Sequence, residues 1–254
     1  QAEQARIRLS FDELLIKHTA ALIRKKEWEE KEKAIPFEIE KYRTKIAELI
    51  KSLPFELTLS QDKALADIFM DLSKDVPMNR LLEGDVGSGK TIVAAIASCV
   101  AFLNGYQTAF MAPTEILASQ HYDTIRNILE SFGVKIELFT SSDKRKAKRD
   151  KPNFDIAIGT HALIQKRIKF DRLGLVVIDE QQRFGVEQRA ILREKGSNPH
   201  LLSMTATPIP RTIFLTIYSD LALSVLDEMP KGRKHIRTWV VPEEKREKGY
   251  NWIS

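Results

Sequence analysis

Gly84-Asp85-Val86-Gly87-Ser88-Gly89-Lys90-Thr91 fits the pattern G-x-x-x-x-G-K-[ST], with three of the chain's eleven glycines inside six positions. Glycine permits the backbone angles that turn successive N–H groups inward around phosphate oxygens. A helix starting near Lys90 adds its positive end, Lys90 supplies a point charge for the β- and γ-phosphates, and Thr91 offers a hydroxyl to Mg²⁺. The pattern sits after a β-rich run and before an apolar helical one, as such a loop requires. About ninety residues later, the apolar run Val176-Val177-Ile178 ends in Asp179-Glu180. Ligands of an open parallel sheet gather beyond the carboxyl ends of its strands, so these acids are expected beside the phosphates. Asp179 then holds Mg²⁺ through water, and Glu180 orients or deprotonates the attacking water. The two motifs together describe an NTPase rather than a passive nucleotide binder.

A sheet must position these groups, and the hydrophobic pattern supplies one. Short apolar runs at Arg80–Leu82, Thr108–Ala112, Lys135–Phe139, Asp155–Ile158, Leu175–Ile178, Leu201–Met204 and Leu223–Leu226 predict strands. Helical periods at Ile92–Leu103, Glu115–Leu129 and Arg183–Arg193 lie among them. Alternating near-continuous apolar strands with helices predicts an α/β fold, a mostly parallel sheet covered on both faces. The chain has 254 residues, 43% hydrophobic and 30% charged, enough for a substantial core without staples. Disulfide-rich and metal-dependent miniature folds are thereby excluded, and the lone Cys99 fits a reducing compartment. The most apolar stretch, Ile92–Leu103, is far short of the roughly twenty residues that a bilayer needs, so no membrane span is expected. A net charge of +5 neither demands nor excludes a nucleic-acid partner.

Residues 1–53 read as a helical arm. Phe11, Leu14, Leu15, His18, Leu22 and Ile23 recur at helical spacing ahead of a mixed charge run. Pro36 stops that helix, and Tyr42, Ile46, Leu49 and Ile50 mark a second one. No secretory signal opens the sequence, and the absence of an initiator Met suggests a cut from something longer. After residue 230 a strand-like run, His235–Val241, and a charged helix start read as the opening of another domain.

Further blocks surround the two motifs in a fixed order: Leu57-Thr58-Leu59-Ser60-Gln61, Met111-Ala112-Pro113-Thr114-Glu115-Ile116-Leu117-Ala118, Gly159-Thr160-His161-Ala162-Leu163-Ile164, Asp179-Glu180-Gln181-Gln182-Arg183-Phe184-Gly185 and Thr205-Ala206-Thr207-Pro208-Ile209-Pro210-Arg211-Thr212. Over residues 54–230 this series resembles superfamily 2 helicases, specifically the RecG-type branch-migrating DNA helicases. Arg6–Leu15 is similar to that family's helical segment before the motor. The resemblance implies that residues 54–230 form a RecA-like, ATP-binding first helicase domain and that residues 231–254 begin the second. It implies ATP and Mg²⁺ as ligands and forked or branched DNA as partner, for a cytoplasmic monomer that couples ATP hydrolysis to branch migration at stalled forks and recombination junctions.

Residue by residue, the resemblance makes Gln61 a reader of adenine, whose edge a side-chain amide can match. It places Pro113, Thr114 and Glu115, and then Gly159, Thr160 and His161, on DNA phosphates. Thr205 and Thr207 link the nucleotide site to the DNA track. One departure is Gln182, where the family usually has His; an amide cannot become cationic, which bears on the coupling of hydrolysis to movement. A second is the run Lys144–Lys151, with six bases in eight residues, which either engages phosphates or forms a solvated face. No arginine motif of a second lobe and no wedge domain are legible, so the isolated chain is expected to be nearly inactive. Two alternatives share the motifs: the motor lobe of a transcription–repair coupling translocase, and a non-catalytic, nucleotide-gated DNA-binding module.

Overall fold

A computed structural model describes residues 2–140, 153–165, 168–180, 195–196, 198–207, 221–230 and 238–253, apart from the side chains of residues 24, 25, 28, 29, 31 and 253. Helices α1 (Ala2–Lys31), α2 (Arg43–Ser52) and α3 (Leu59–Leu72) precede the sheet. Next come β1 (Asn79–Gly84), α4 (Lys90–Leu103), β2 (Gln107–Met111), α5 (Glu115–Leu129), β3 (Ile136–Phe139) and β4 (Ile156–Gly159). Then follow β5 (Leu173–Asp179), β6 (His200–Thr205), β7 (Ala222–Leu226) and a terminal α6 (Arg246–Ile253).

All seven predicted strands form, in one parallel sheet of order β3-β4-β2-β5-β6-β1-β7. Strands β5 and β6 are buried along their whole length, which explains why they read as unbroken apolar runs. Helices α2 to α5 share the face that presents Leu82, Phe110, Ile158, Val177 and Leu202. The opposite face presents Ala109, Met111, Val176 and Ile178, packed by Phe139, Phe154 and a 3₁₀ turn at His161–Ile164. The helix predicted at Arg183–Arg193 for that face lies outside the described residues, as does the basic run Lys144–Lys151. Cys99 is buried in α4, and burial pushes its thiol up to about 11, leaving it unreactive. No helix among the described residues is long and apolar enough to cross a membrane.

Two expectations need correction. Helix α1 ends at Lys31, five residues before the proline expected to stop it. The strand predicted over His235–Val241 does not form in its described part, where residues 238–241 are irregular and largely exposed. Nothing in the described chain pairs with them, and the sheet ends at β7 on that side.

The sequence leaves open what the arm rests on. Residues 33–53 rest on this lobe: Phe37 N–H donates to Leu72 O at 2.8 Å, Ala34 N–H to Asp75 O at 2.8 Å, and Phe37, Ile46, Leu49 and Leu53 join the core. His200 anchors this segment. Its Nδ1 accepts from Met78 N–H at 3.0 Å, which leaves Nε2–H to donate to Ile35 O at 3.1 Å. Burial pushes the His200 pKa down, against the opposing effects of the Ile35 carbonyl and Asp71. The unfolded chain therefore binds a proton that the folded chain refuses. Stability from His200 is fully present above the unfolded value of about 6.5 and is lost as pH falls towards the lower folded value, by up to about 1.4 kcal/mol per pH unit. His200→Gln keeps one acceptor and one donor but cannot titrate. Urea midpoints from pH 8 to pH 5 are expected to fall more steeply for the wild type than for this variant; equal slopes would refute the anchor.

Candidate functional site

The phosphate loop is built where β1 ends. Lys90 opens α4, and the cap residue before it, Gly89, has φ 91°, in the left-handed region open to glycine. A Cβ at Gly89 would also strike the Gln61 Nε2 atom beneath it, so a larger residue would have to displace that amide as well as strain its backbone. Helices α3 and α5 have their first turns capped by Thr58 and Thr114, whereas α4 has no side-chain cap. The cap position of α4 thus offers its N-terminal donors no side-chain acceptor, the arrangement that suits a phosphate. Ser88 is fully buried, while Asp85, Val86 and Gly87 are exposed.

Lys90 is folded back on the loop, where Nζ donates to Gly84 O at 2.5 Å and to Asp85 O at 3.0 Å. Burial pushes its pKa down, while Asp179, Glu180 and Asp85 pull it up. The two acids expected on β5 are therefore close enough to act on the loop lysine. Asp179, 8% exposed, ends β5, and its Oδ1 accepts the Glu180 N–H at 3.1 Å. Glu180 is half-buried and leaves the strand with φ 51°, a left-handed backbone that a non-glycine residue adopts only when its surroundings hold it there.

Between Thr91 and Asp179 stands a residue that the sequence reading passed over. His121, on α5, places Nε2 2.8 Å from Asp179 Oδ2 and Nδ1 3.4 Å from Thr91 Oγ1. Its ring packs on Phe110 at 4.8 Å, and only 8% of the residue is exposed. The one available sequence signal is weak: His121 falls on the apolar stripe of α5 with Ala118 and Ile125, where a histidine reads as core.

Gln61 is 1% exposed and lies below the loop. Its Oε1 accepts the Thr58 N–H at 2.9 Å as half of a capping box, and its Nε2 donates to Ser88 O at 2.7 Å. As bonded here, the amide braces the phosphate loop.

Sheet order arranges the remaining candidates along the same edge. Loops from β4, β2, β5, β6 and β1 emerge in that sequence. Gly159, Thr160 and His161 therefore neighbour Pro113, Thr114 and Glu115, of which only the second set is next to Asp179 on β5. Thr114 and His161 are exposed, while Gly159 is buried and a Cβ there would meet Phe139 O at 2.5 Å. Thr205 ends β6, between the strands of Asp179 and the phosphate loop, with its Oγ1 2.8 Å from that of Thr207. Gln182, expected to couple hydrolysis to movement, lies outside the described residues.

A hydroxyl and a carboxylate are hard oxygen donors, a set that fits Mg²⁺, which takes one or two protein ligands and completes its shell with phosphates and water. Among the described residues no group of three His, Cys, Asp or Glu could hold a metal. The fit therefore depends on a nucleotide sharing the ion.

A family model described as DEAD/DEAH box helicase matches residues 58–215. The ATP-dependent DNA helicase RecG of Aquifex aeolicus is 48% identical over 255 residues, covering 97% of this chain and 32% of that protein. Its Bacillus subtilis counterpart is 53% identical over 201 residues, 77% of this chain and 30% of that protein. A solved structure of RecG bound to a three-way DNA junction superposes with a TM-score of 0.81 at 43% identity, over 99% of this chain and 34% of that one. The chain thus spans about a third of the length of the relatives it matches.

Proposed function

Since the chain belongs to the DEAD/DEAH box helicase family and matches RecG along nearly its whole length, we propose that it is the ATP-binding motor lobe of a RecG-type DNA helicase. Residues 84–91 cradle the β- and γ-phosphates, with Lys90 exchanging its two carbonyl partners for phosphate oxygens. Thr91 and Asp179 hold Mg²⁺, which when bound neutralises charge between the phosphates. Glu180 orients the attacking water and takes its proton. Gln61 reaches adenine only by giving up or sharing its bond to Thr58 or Ser88.

The observation that carries this reading is the order of loops on one sheet edge. The phosphate loop and Asp179 flank Thr205, and the loops at 113–115 and 159–161 continue the row beyond β5. The latter two, each a strand end turning into a helical segment, suit the phosphates of a DNA strand. Branched DNA is the substrate class, that of the three-way junction held by the RecG relative. The motor acts as a monomer in the cytoplasm, through a second lobe that supplies charge to the γ-phosphate.

The test compares ATP turnover, with and without forked DNA, for residues 1–254 and for a protein that adds the second lobe. The chain alone is expected to turn over at least about a thousandfold more slowly than the two-lobed, DNA-stimulated protein. Robust DNA-stimulated turnover by residues 1–254 would contradict the division of labour.

A further inference from the structure

His121 is a buried polar group beside Thr91 and Asp179 that the mechanism above does not use. An ionised carboxylate only accepts hydrogen bonds, so the 2.8 Å contact with Asp179 Oδ2 puts a proton on His121 Nε2. In the neutral ring Nδ1 is then an acceptor facing the Thr91 hydroxyl at 3.4 Å. Thr91 turns its O–H towards the ring, which leaves its oxygen lone pairs for a cation. Asp179 has Oδ2 held by the ring and Oδ1 held by the Glu180 N–H, so its carboxylate has one orientation. The ring itself is clamped by Phe110 and by its place on the buried stripe of α5. Thr91 comes from α4 and Asp179 from β5, and the His121 side chain touches both.

We infer that His121 is a positioning residue for the Mg²⁺ site, holding the Thr91 hydroxyl and the Asp179 carboxylate in the register that the ion needs. The inference rests on the reading of Thr91 and Asp179 as the Mg²⁺-directed pair. A group that orients metal ligands typically contributes 10- to 100-fold in metal affinity (roughly) without touching the ion.

The experiment is a Mg²⁺ titration of fluorescent-ADP binding by residues 1–254, read as the Mg²⁺ concentration at half-maximal gain, with Mn²⁺ paramagnetic resonance as a second readout. His121→Phe fills the same space against Phe110 but has no ring nitrogen. It is expected to raise the half-maximal concentration about 10-fold or more. His121→Gln, whose amide reaches as far as Nε2, is expected to recover most of that loss. Should His121→Phe fail to fold, His121→Asn, too short to reach Asp179, carries the same expectation. An unchanged Mg²⁺ requirement in the variant without the Asp179 bond, or no recovery with Gln, overturns the role of His121. A wild type with no Mg²⁺ gain, or a gain that survives Asp179→Asn, overturns the metal reading and this inference with it.

Discussion

Glu180→Gln is expected to lower DNA-stimulated ATP turnover of the two-lobed motor by about 10²- to 10⁴-fold, the usual contribution of a positioned general base. The amide matches the carboxylate in size and retains an acceptor, so water can still be held, but it cannot take the proton. Nucleotide affinity is expected to change little, because Lys90, Thr91 and Asp179 carry binding in this scheme. The Asp179 carboxylate accepts the Glu180 backbone N–H, a bond that the side-chain change does not touch. Steady-state kcat and equilibrium binding of ATP, measured on the same preparations, separate the two effects. Turnover within a few-fold of wild type would move the base to another residue.

Arg80→Met is expected to cost about 3–5 kcal/mol of folding stability, the penalty for leaving a buried charge without its partner. Arg80 is 6% exposed and ties three elements together. From β1 its Nε and Nη2 donate to Asp71 Oδ2 on α3 at 2.9 and 2.7 Å, and its Nη1 donates to Ser224 Oγ on β7 at 2.7 Å. The Ser224 hydroxyl in turn donates to Asp67 Oδ2 at 3.0 Å. Burial would raise the Asp71 pKa, but the Lys74 ammonium and the Arg80 guanidinium hold it below the usual carboxylate range. Removing Arg80 leaves that carboxylate to Lys74, which sits near the surface. Urea unfolding measures the loss. Arg80→Met combined with Asp71→Leu is expected to regain most of it, since an apolar pair in place of a buried ion pair is often neutral or better. A double variant as unstable as the single one would show that volume and packing, not charge, set the cost.

The parts legible in sequence were those whose chemistry is local. A phosphate loop needs φ above zero at Gly87 and Gly89 and a helix start at Lys90, all within eight residues, and the structure has each. The strands announced themselves because a parallel sheet buried on both faces gives short, nearly unbroken apolar runs, too short for the helices between them. What escaped notice depends on strand order. His121 and Asp179 are 58 positions apart and meet only because β2, which leads into α5, lies beside β5. Phe37 carries no sequence signal of its own beyond following Pro36. Its burial against Tyr106, at 5.4 Å, and His200, at 4.9 Å, follows from where β2 and β6 begin. Gln61 was read for its reach towards a base, whereas the fold occupies it with the Ser88 carbonyl, a contact set by α3 packing under the loop.

The central claim is that residues 84–91, together with Asp179, form a Mg²⁺-dependent ATP site. Equilibrium binding of Mg²⁺·ATP to residues 1–254, wild type against Lys90→Ala, tests it most directly. Measurable binding by the wild type, lost by about tenfold or more when the loop's charge-assisted phosphate contact is removed, is the predicted result. Equal affinity in the two proteins would contradict it.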